Sequence, residues 1–261
     1  MSRKTLMKKK AIIIANQDPL LTGVSKDIDH IQVFLKDIVG GAWNSDEIEV
    51  HINPTLSFLK LALAIDKLHS YDYMMVFFTG HGGHKRQQTY VQINNDKELI
   101  AQSELENLCK KQINIYDCCR SEIETLTESR ASMSMESYKF GDSLKLTRLE
   151  ARRLYENQIE RAKPQQLILY SCSLNEYSQD ESYGALYLTN LLRDANTFEN
   201  CQYHGKRFKV ALESHNNAAI RVKRDNRDKQ NPQTPDYQVT KFRDIEDHLI
   251  ISINPEKHIY R

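Results

Sequence analysis

The chain has 261 residues, of which 40% are hydrophobic, enough to bury a large core in one α/β domain or two small ones. Its 36 basic and 35 acidic residues nearly cancel, which argues against a nucleic-acid-binding surface spread over the whole protein. It contains no run of about 18 apolar residues, which argues against a transmembrane helix.

The N-terminus and the cysteines bear on cellular location. The N-terminal segment is basic, but the apolar run that follows it, residues 11–15, is shorter than the core of a signal peptide, which has about 7–15 residues. Five cysteines at irregular spacing fit reduced thiols better than a disulfide framework. We therefore expect a cytoplasmic protein.

Strand and helix patterns alternate through the first third of the chain. Apolar residues recur at helical spacing from Ser25, which can cap a helix, to Gly40 and Gly41, which stop it. The order β-α-β-α-β predicts a mainly parallel sheet with helices on both faces. The predicted strands are residues 11–15, 47–52 and 73–78, and the second helix covers residues 54–68.

The rest of the chain alternates less regularly. Residues 122–142 have almost no periodic apolar face, so we expect an exposed, mobile loop, followed by a helix that Asp142 caps and that ends near Ala162. Residues 223–236 contain two prolines and predict a polar connection. Further predicted strands are residues 89–93, 113–117, 166–172 and 248–253, the last of which closes the sheet, and further predicted helices are residues 103–110, 184–193 and 206–222.

Two of the predicted strands end in chemically reactive residues. His81 follows the strand 73–78, and Cys118 and Cys119 follow the strand 113–117. Sites of open α/β sheets lie beyond the carboxyl ends of the strands, so parallel, adjacent strands would bring the imidazole and a thiol to one edge. A free thiol, with a pKa of about 8.5, is mostly protonated at neutral pH, and a nearby imidazole favours the thiolate. The pattern therefore predicts a Cys-His pair.

The pattern around these strands resembles that of caspase-like cysteine peptidases, and among them the metacaspases and their bacterial relatives. In that family an apolar strand leads into Ser/Thr-Gly-His-Gly, and a second strand ends in Asp-x-Cys-(His/Arg)-Ser. Here the two motifs are residues 79–82 and 117–121, and the similarity covers about residues 9–254. Supporting segments are residues 21–27, 171–172, 178–180, 184–185 and 233–235.

The resemblance implies an α/β fold, the caspase-like αβα sandwich with a mostly parallel six-stranded sheet, in a single peptidase domain over residues 1–254. Within it, residues 9–121 resemble the large subunit, 122–164 the linker and 165–254 the small subunit, and residues 255–261 form a tail. The implied activity is that of a cysteine endopeptidase, a thiol protease made as a zymogen and activated by autocatalytic cleavage of its own linker. Its implied partners are protein substrates and an activating protease or regulatory partner, not nucleic acid or a membrane.

The resemblance also assigns roles at the site. It implies that Cys119 is the nucleophile, His81 its acid–base partner and Cys118 a packing residue, while the N–H groups of Gly82 and Cys119 hold the oxyanion. Glu122 is a departure, because the family usually has glycine at its position.

Three acids, Asp27, Asp117 and the more weakly matching Asp180, correspond to positions that line the substrate pocket of metacaspases. In metacaspases these acids bind Arg or Lys of the substrate, whereas caspases proper use basic pocket residues to bind Asp. The resemblance therefore implies cleavage after Arg or Lys. The linker carries basic residues that such an enzyme can cut: Arg130, Lys139, Lys145, Arg148, Arg152, Arg153, Arg161 and Lys163.

Other interpretations of these residues stay open. A different branch of the same clan, legumain-like or separase-like, would prefer another residue, and a catalytically silent caspase-like module would serve only to bind partners. Taken singly, a histidine or cysteine after a strand also fits a structural role, and Asp27 fits an acid in the first turn of a helix. A zinc site built from His81, His84, Cys118 and Cys119 is disfavoured, because adjacent cysteines lack the C-x₂₋₄-C spacing, and His84 is predicted to be a solvated loop residue.

The last implication concerns metal ions. Calcium-dependent metacaspases resemble one another in an acidic pair ahead of the nucleophile's strand, and this chain has Gln102 and Ser103 there, which leaves mainly Asp96 and Glu104. A Ca²⁺ ion takes about 6–8 oxygen ligands, and its affinity rises with the number of carboxylates. We therefore expect that the protein needs neither calcium nor another cofactor.

Overall fold

The computed structural model describes residues 7–122, 145–181, 183–198, 207–227, 231–240 and 242–256. The strands are β1 (Lys9–Ala15), β2 (Ile48–Ile52), β3 (Tyr73–Thr79), β4 (Gly82–Lys85), β5 (Gln88–Gln92), β6 (Leu99–Ala101), β7 (Lys111–Asp117), β8 (Gln165–Tyr170), β9 (Asp180–Glu181), β10 (Gly184–Ala185), β11 (Phe208–Val210), β12 (Asp236–Val239) and β13 (Ile250–Ile253). The helices are α1 (Val24–Lys36), α2 (Leu56–Leu68), α3 (Arg148–Arg161), α4 (Leu186–Asn196) and α5 (Ala211–Asp225). Across these ranges, no helix is long and apolar enough to cross a membrane.

Six strands form the central sheet, in the order β12-β8-β7-β3-β1-β2. Five of them run parallel, and β12 joins β8 antiparallel at one edge. The predicted class, a mostly parallel six-stranded sheet with helices on both faces, is confirmed.

The apolar core has two layers, one on each face of this sheet. Ile13 of β1 lies in the larger apolar cluster with Phe34 of α1 and Leu191 of α4, whereas its neighbour Ile12 lies in the second cluster with Leu59 of α2. Successive strand residues point to opposite faces, so each cluster fills the space between one face and the helices that cover it.

The helix starts follow local hydrogen bonding. The Thr55 hydroxyl accepts a bond from the Phe58 N–H at the start of α2, as the sequence indicates, and Thr147 caps α3 in the same way. The predicted cap of the first helix was wrong, because α1 begins at Val24 and Ser25 lies inside it. The predicted cap Asp142 lies outside the described residues, as does nearly all of the loop predicted over 122–142.

The helix predicted over residues 103–110 was also wrong. Only a short 3₁₀ turn forms there, at Gln102–Glu104. The Gln112 side chain accepts hydrogen bonds from the N–H groups of Leu108, at 2.8 Å, and Cys109, at 3.4 Å. A helix would direct those N–H groups to its own carbonyls, so the glutamine replaces the helical pattern.

The strand that completes the sheet was misidentified. Residues 250–253 form β13, which pairs antiparallel with β11 in a separate two-stranded sheet. The sixth strand of the central sheet is instead β12, which begins at the last residue of the stretch predicted as a polar connection. Its side chains are only partly buried, and Tyr237 is exposed, because an edge strand at the surface needs little apolar alternation.

Candidate active site

Parallel pairing of β3 with β7 determines where the reactive residues lie. Thr79 and Asp117 form the last residue pair of the two strands. His81 lies two residues after Thr79, and Cys119 lies two residues after Asp117, so both follow the same edge of the sheet. Both then line one cleft of about 30 Å³ at the carboxyl edge of the sheet. The lining residues are Leu21, Val24, Thr79, Gly80, His81, Asp117, Cys118, Cys119, Ser178, Gln179, Asp180 and Ala185.

The glycine after His81 allows the two loops to touch. A Cβ atom on Gly82 would lie 2.6 Å from the Cys118 sulfur and 3.0 Å from the Cys119 carbonyl oxygen, so no larger residue fits without movement. The loop is also held from behind, since the Gly80 N–H donates to the Asp117 carbonyl at 3.2 Å and the Gln92 N–H donates to the His81 carbonyl at 2.9 Å.

The Cys119 thiol is covered by Ser178. The Ser178 N–H donates to the thiol sulfur at 3.4 Å, and the thiol donates to the Ser178 carbonyl at 3.8 Å. Burial, with smaller contributions from Asp117 and Asp180, raises the pKa of Cys119 to about 11. In this conformation the thiol is therefore protonated at neutral pH.

Cys118 has a different environment. Its side chain is buried in the second apolar cluster, beneath β4. Its backbone N–H donates to the Ser171 hydroxyl at 3.2 Å, and that hydroxyl donates to the Cys118 carbonyl at 3.1 Å. Cys118 thus links β7 to the end of β8.

Arg120 ties the loop of Cys119 to three strands. Its buried guanidinium lies 3.8 Å from the centre of the Tyr170 ring and donates to Thr89 and to the Cys172 carbonyl, both at 3.1 Å. It also pairs with Asp236 of β12 at 3.3 Å. Sequence reasoning missed this role, because the partners are distant in the chain and no local pattern marks them.

The segment after Arg120 continues along β4. A ring nitrogen of His84, Nδ1, lies 2.7 Å from the Arg120 carbonyl oxygen, and the His84 N–H donates to the Ser121 carbonyl at 2.8 Å. His84 is only 9% exposed, so the prediction of a solvated loop residue was wrong. Glu122, where the family usually has glycine, forms a parallel β-bridge with His84, and a β-bridge accepts any side chain that fits its surroundings.

Of the three predicted pocket acids, Asp117 and Asp180 line the cleft with Cys119, whereas Asp27 is buried behind the cleft lining and interacts electrostatically with both. Asp27 accepts hydrogen bonds from the Thr79 hydroxyl at 2.6 Å and the Ala185 N–H at 2.9 Å. Asp117 accepts from the Ser178 hydroxyl at 2.5 Å and the Leu188 N–H at 2.9 Å. Asp180 accepts from the Gly23 N–H at 3.1 Å, which joins the loop before α1 to β9.

Burial and neighbouring acids raise the pKa values of Asp27 and Asp117. Burial first, and then the charges of Asp117 and Asp180, raise the pKa of Asp27 well above its usual value. Burial raises the pKa of Asp117 to about 6, and Asp180 adds to the shift. Both carboxyls lie in an environment that disfavours their negative charge, which a bound cation would stabilise.

Residues 233–235, which the sequence marks only as a supporting match to the family, contact the segment that covers Cys119. The Gln233 amide accepts a hydrogen bond from the Gln179 N–H at 3.2 Å and donates to the Ser171 carbonyl at 3.1 Å. The Thr234 N–H donates to the Glu176 carboxylate at 2.6 Å. These contacts hold the segment that covers Cys119.

Two further observations concern ions. Asp18, which sequence reasoning did not single out, has a carboxylate oxygen 3.6 Å from His81 Nε2. Within the described part of the chain, no group of three or more His, Cys, Asp or Glu side chains is arranged to hold a metal ion, so the zinc alternative gains no support there.

Comparison with known proteins bears on the fold and the family. A family profile described as "Caspase domain" matches residues 8–243, while a search of curated proteins found no relative. Caspase-1 from Spodoptera frugiperda has a similar structure, with 15% identity and a TM-score of 0.55 over 89% of this chain and 86% of that one. Protein GSU0716 from Geobacter sulfurreducens is similar at 14% identity and a TM-score of 0.53, over 97% of this chain and all of that one. The structure of the Drosophila initiator caspase Dronc is similar at 9% identity and a TM-score of 0.52, over 95% of this chain and 83% of that one. The predicted caspase-like αβα fold is thereby confirmed.

The raised pKa of Asp117 predicts how stability varies with pH. An acid whose pKa rises from 3.8 to about 6 on folding binds its proton more tightly in the native state. Stability is therefore lost as pH rises through this window. Replacing Asp117 with Asn removes the charge, so Asp117→Asn should match the parent near pH 4 and exceed it by about 1–3 kcal/mol at pH 7.

Urea unfolding measured from pH 4 to pH 7 checks this expectation. Asp96→Asn, at an exposed position between β5 and β6, is the control and should leave the pH dependence unchanged. A stability difference between Asp117→Asn and the parent that is the same at every pH would contradict the assignment.

Proposed function

The chain belongs to the caspase-domain family of peptidases, and on that premise we propose that it is a cysteine endopeptidase that cleaves protein substrates after Arg or Lys. The observation that carries this proposal is a single cleft lined by His81, Cys119, Asp117 and Asp180. In this proposal the cleft combines a nucleophile, Cys119, and a base, His81, with acids that can bind a basic side chain of the substrate.

In the proposed reaction, His81 takes the proton of the Cys119 thiol, and the sulfur attacks the carbonyl carbon of the scissile bond. The N–H groups of Gly82 and Cys119 stabilise the oxyanion that forms. His81 then gives its proton to the leaving amine, and the acyl group stays on the sulfur. Water, deprotonated by His81, attacks this thioester, which releases the new carboxyl end and restores the thiol.

Specificity for Arg or Lys is proposed to come from Asp27, Asp117 and Asp180. Each carboxylate can accept about four hydrogen bonds, so Asp27 and Asp117 retain acceptor capacity beyond the two donors described for each. A substrate cation would also relieve the repulsion among the three acids. We expect affinity for Arg substrates to fall below about pH 6, because Asp117, with its pKa of about 6, then takes up a proton.

The contacts of Ser178 support a latent state of the uncut chain. Ser178 covers the Cys119 sulfur, and the pKa of about 11 keeps that thiol protonated. Activation is proposed to displace Ser178, so that the thiol can meet His81 and the substrate. Cleavage of the linker by the enzyme itself, or by an activating protease, is the proposed trigger.

The first prediction from the proposed function concerns the nucleophile. Cys119→Ala and His81→Ala should each abolish cleavage of Arg peptides, because each removes one member of the dyad. Cys118→Ala should keep most of the activity, since its side chain is buried against β4. Steady-state kinetics on folded variants measure this. Full activity of Cys119→Ala would refute the dyad, and an inactive parental enzyme, processed or not, would favour the catalytically silent module.

A second prediction concerns specificity. Removing one acid from a desolvated ion pair costs roughly 3–5 kcal/mol, so Asp117→Asn should lower kcat/KM for Arg peptides by roughly 150- to 5,000-fold. Peptide kinetics measure the change, with Asp29→Asn, at an exposed position of α1, as the matched control. An Asp117→Asn enzyme that cleaves Arg peptides at the parental rate would contradict the pocket. A parental preference for another residue would point to a different branch of the clan.

A third prediction concerns the linker. Arg148 donates to backbone carbonyls of residues 36, 42 and 43, and Arg152 pairs with Glu47, so both are held in packed structure. A peptidase needs an extended substrate, so Arg148 and Arg152 are disfavoured as cleavage positions, and Arg130 and Lys139 are the linker residues proposed for cleavage instead. Intact-mass analysis of the parent protein should therefore detect two fragments.

Three variants make this test specific. Cys119→Ala and the double variant Arg130→Gln/Lys139→Gln should stay uncut, whereas Arg153→Gln, at an exposed position of α3, should be cut like the parent. Full activity in an uncut single chain would show that processing is not required.

A further inference from the structure

One charged side chain beside the proposed dyad has no role in the reaction described above. The Asp18 carboxylate oxygen Oδ2 lies 3.6 Å from Nε2 of His81. The two side chains are 19% and 20% exposed, so solvent screens this pair only in part. Asp18 belongs to the loop between β1 and α1, far from His81 in the chain.

This loop holds the carboxylate in place. The other oxygen of Asp18, Oδ1, accepts a hydrogen bond from the Leu20 N–H at 2.8 Å, and the Asp18 carbonyl accepts one from the Leu21 N–H at 2.9 Å. Just before it, the Gln17 N–H donates to the Asn53 side chain at 2.8 Å, and that side chain donates back to the Gln17 carbonyl at 2.9 Å. One carboxylate oxygen is thus bound within the loop, and the other is directed at the imidazole.

The imidazole lies between this carboxylate and the cleft. His81 lines the cleft together with Cys119, whereas Asp18 is not among the lining residues. Because Nε2 faces Asp18, Nδ1 is the ring nitrogen that this carboxylate does not contact.

We propose that Asp18 is the positioning residue of His81, an inference that rests on the peptidase function proposed above. It holds the neutral imidazole with its proton on Nε2, which leaves Nδ1 as the acceptor. When the S–H bond of Cys119 breaks, the proton moves to Nδ1, the electron pair stays on sulfur, and Asp18 stabilises the positive imidazolium without taking a proton itself. A distance of 3.6 Å exceeds a hydrogen bond, and catalytic hydrogen bonds of ligand-free enzymes commonly tighten only when substrate binds.

Asp18→Asn separates this role from loop structure. The Asn carbonyl oxygen can still accept from the Leu20 N–H, and its amide then presents N–H groups to His81, which favours the wrong tautomer. In the processed enzyme, kcat for an Arg peptide should fall roughly ten- to hundredfold, with KM within about twofold. Asp18→Glu should recover part of kcat, and Asp29→Asn should behave like the parent.

The second readout does not depend on peptidase activity. In full-length, ¹⁵N-labelled Cys119→Ala protein, long-range ¹H–¹⁵N spectra report which nitrogen of the neutral His81 ring carries the proton, with His81→Ala providing the assignment. We expect the Nε2-protonated form in Cys119→Ala and a shift towards the Nδ1-protonated form when Asp18→Asn is added. If the parent cleaves no peptide, the peptidase proposal fails and the spectra alone decide the role of Asp18. Unchanged tautomer populations, or a parental kcat in Asp18→Asn, would overturn the inference.

Discussion

Strands β3 and β7 pair in parallel with Thr79 opposite Asp117, and the rest of the site depends on this register. It places the loop after β3 and the loop after β7 at the same level along the strand direction, so that Gly82 can lie against Cys118. It also places the Thr79 hydroxyl on Asp27 and the Asp117 carboxylate on Ser178 and Leu188. A slip by one residue would turn Asp117 and Cys119 together to the opposite face of the sheet and away from Asp27 and Ser178.

Much of the fold follows from local sequence patterns, because buried parallel strands are nearly continuous apolar runs and helices have their own period. These signals are strong in β1, β3, β7 and β8, whose side chains are almost all buried. They are weak in β12, an edge strand with little to bury, and so the sixth strand of the sheet was assigned to the wrong segment. The irregular backbone before β7 depends on one glutamine side chain, Gln112, which no periodicity shows.

The candidate site was likewise predictable only in the parts that local sequence patterns mark. The position of His81, Cys119 and Asp117 at one edge of the sheet was predictable, because each stands at the end of an apolar run, where such sheets place polar groups. Their neighbours were not, because each contact joins segments far apart in the chain. Arg120 meets Asp236, and His81 meets Asp18, only once the strands have been ordered in space. The burial that raises the pKa of Cys119 is likewise a property of the packed chain, not of its motif.

The pairing of β7 with β8 has a consequence for a chain cut between residues 122 and 145. The strand before the linker, β7, and the strand after it, β8, are hydrogen-bonded neighbours over six residue pairs, from Lys111↔Gln165 to Tyr116↔Tyr170. Arg120, itself buried, adds contacts with Tyr170, Cys172 and Asp236 across the same boundary. Severing the backbone there leaves the non-covalent interface intact, so the two fragments should co-migrate as one heterodimeric particle in native gel filtration and separate only under denaturing conditions.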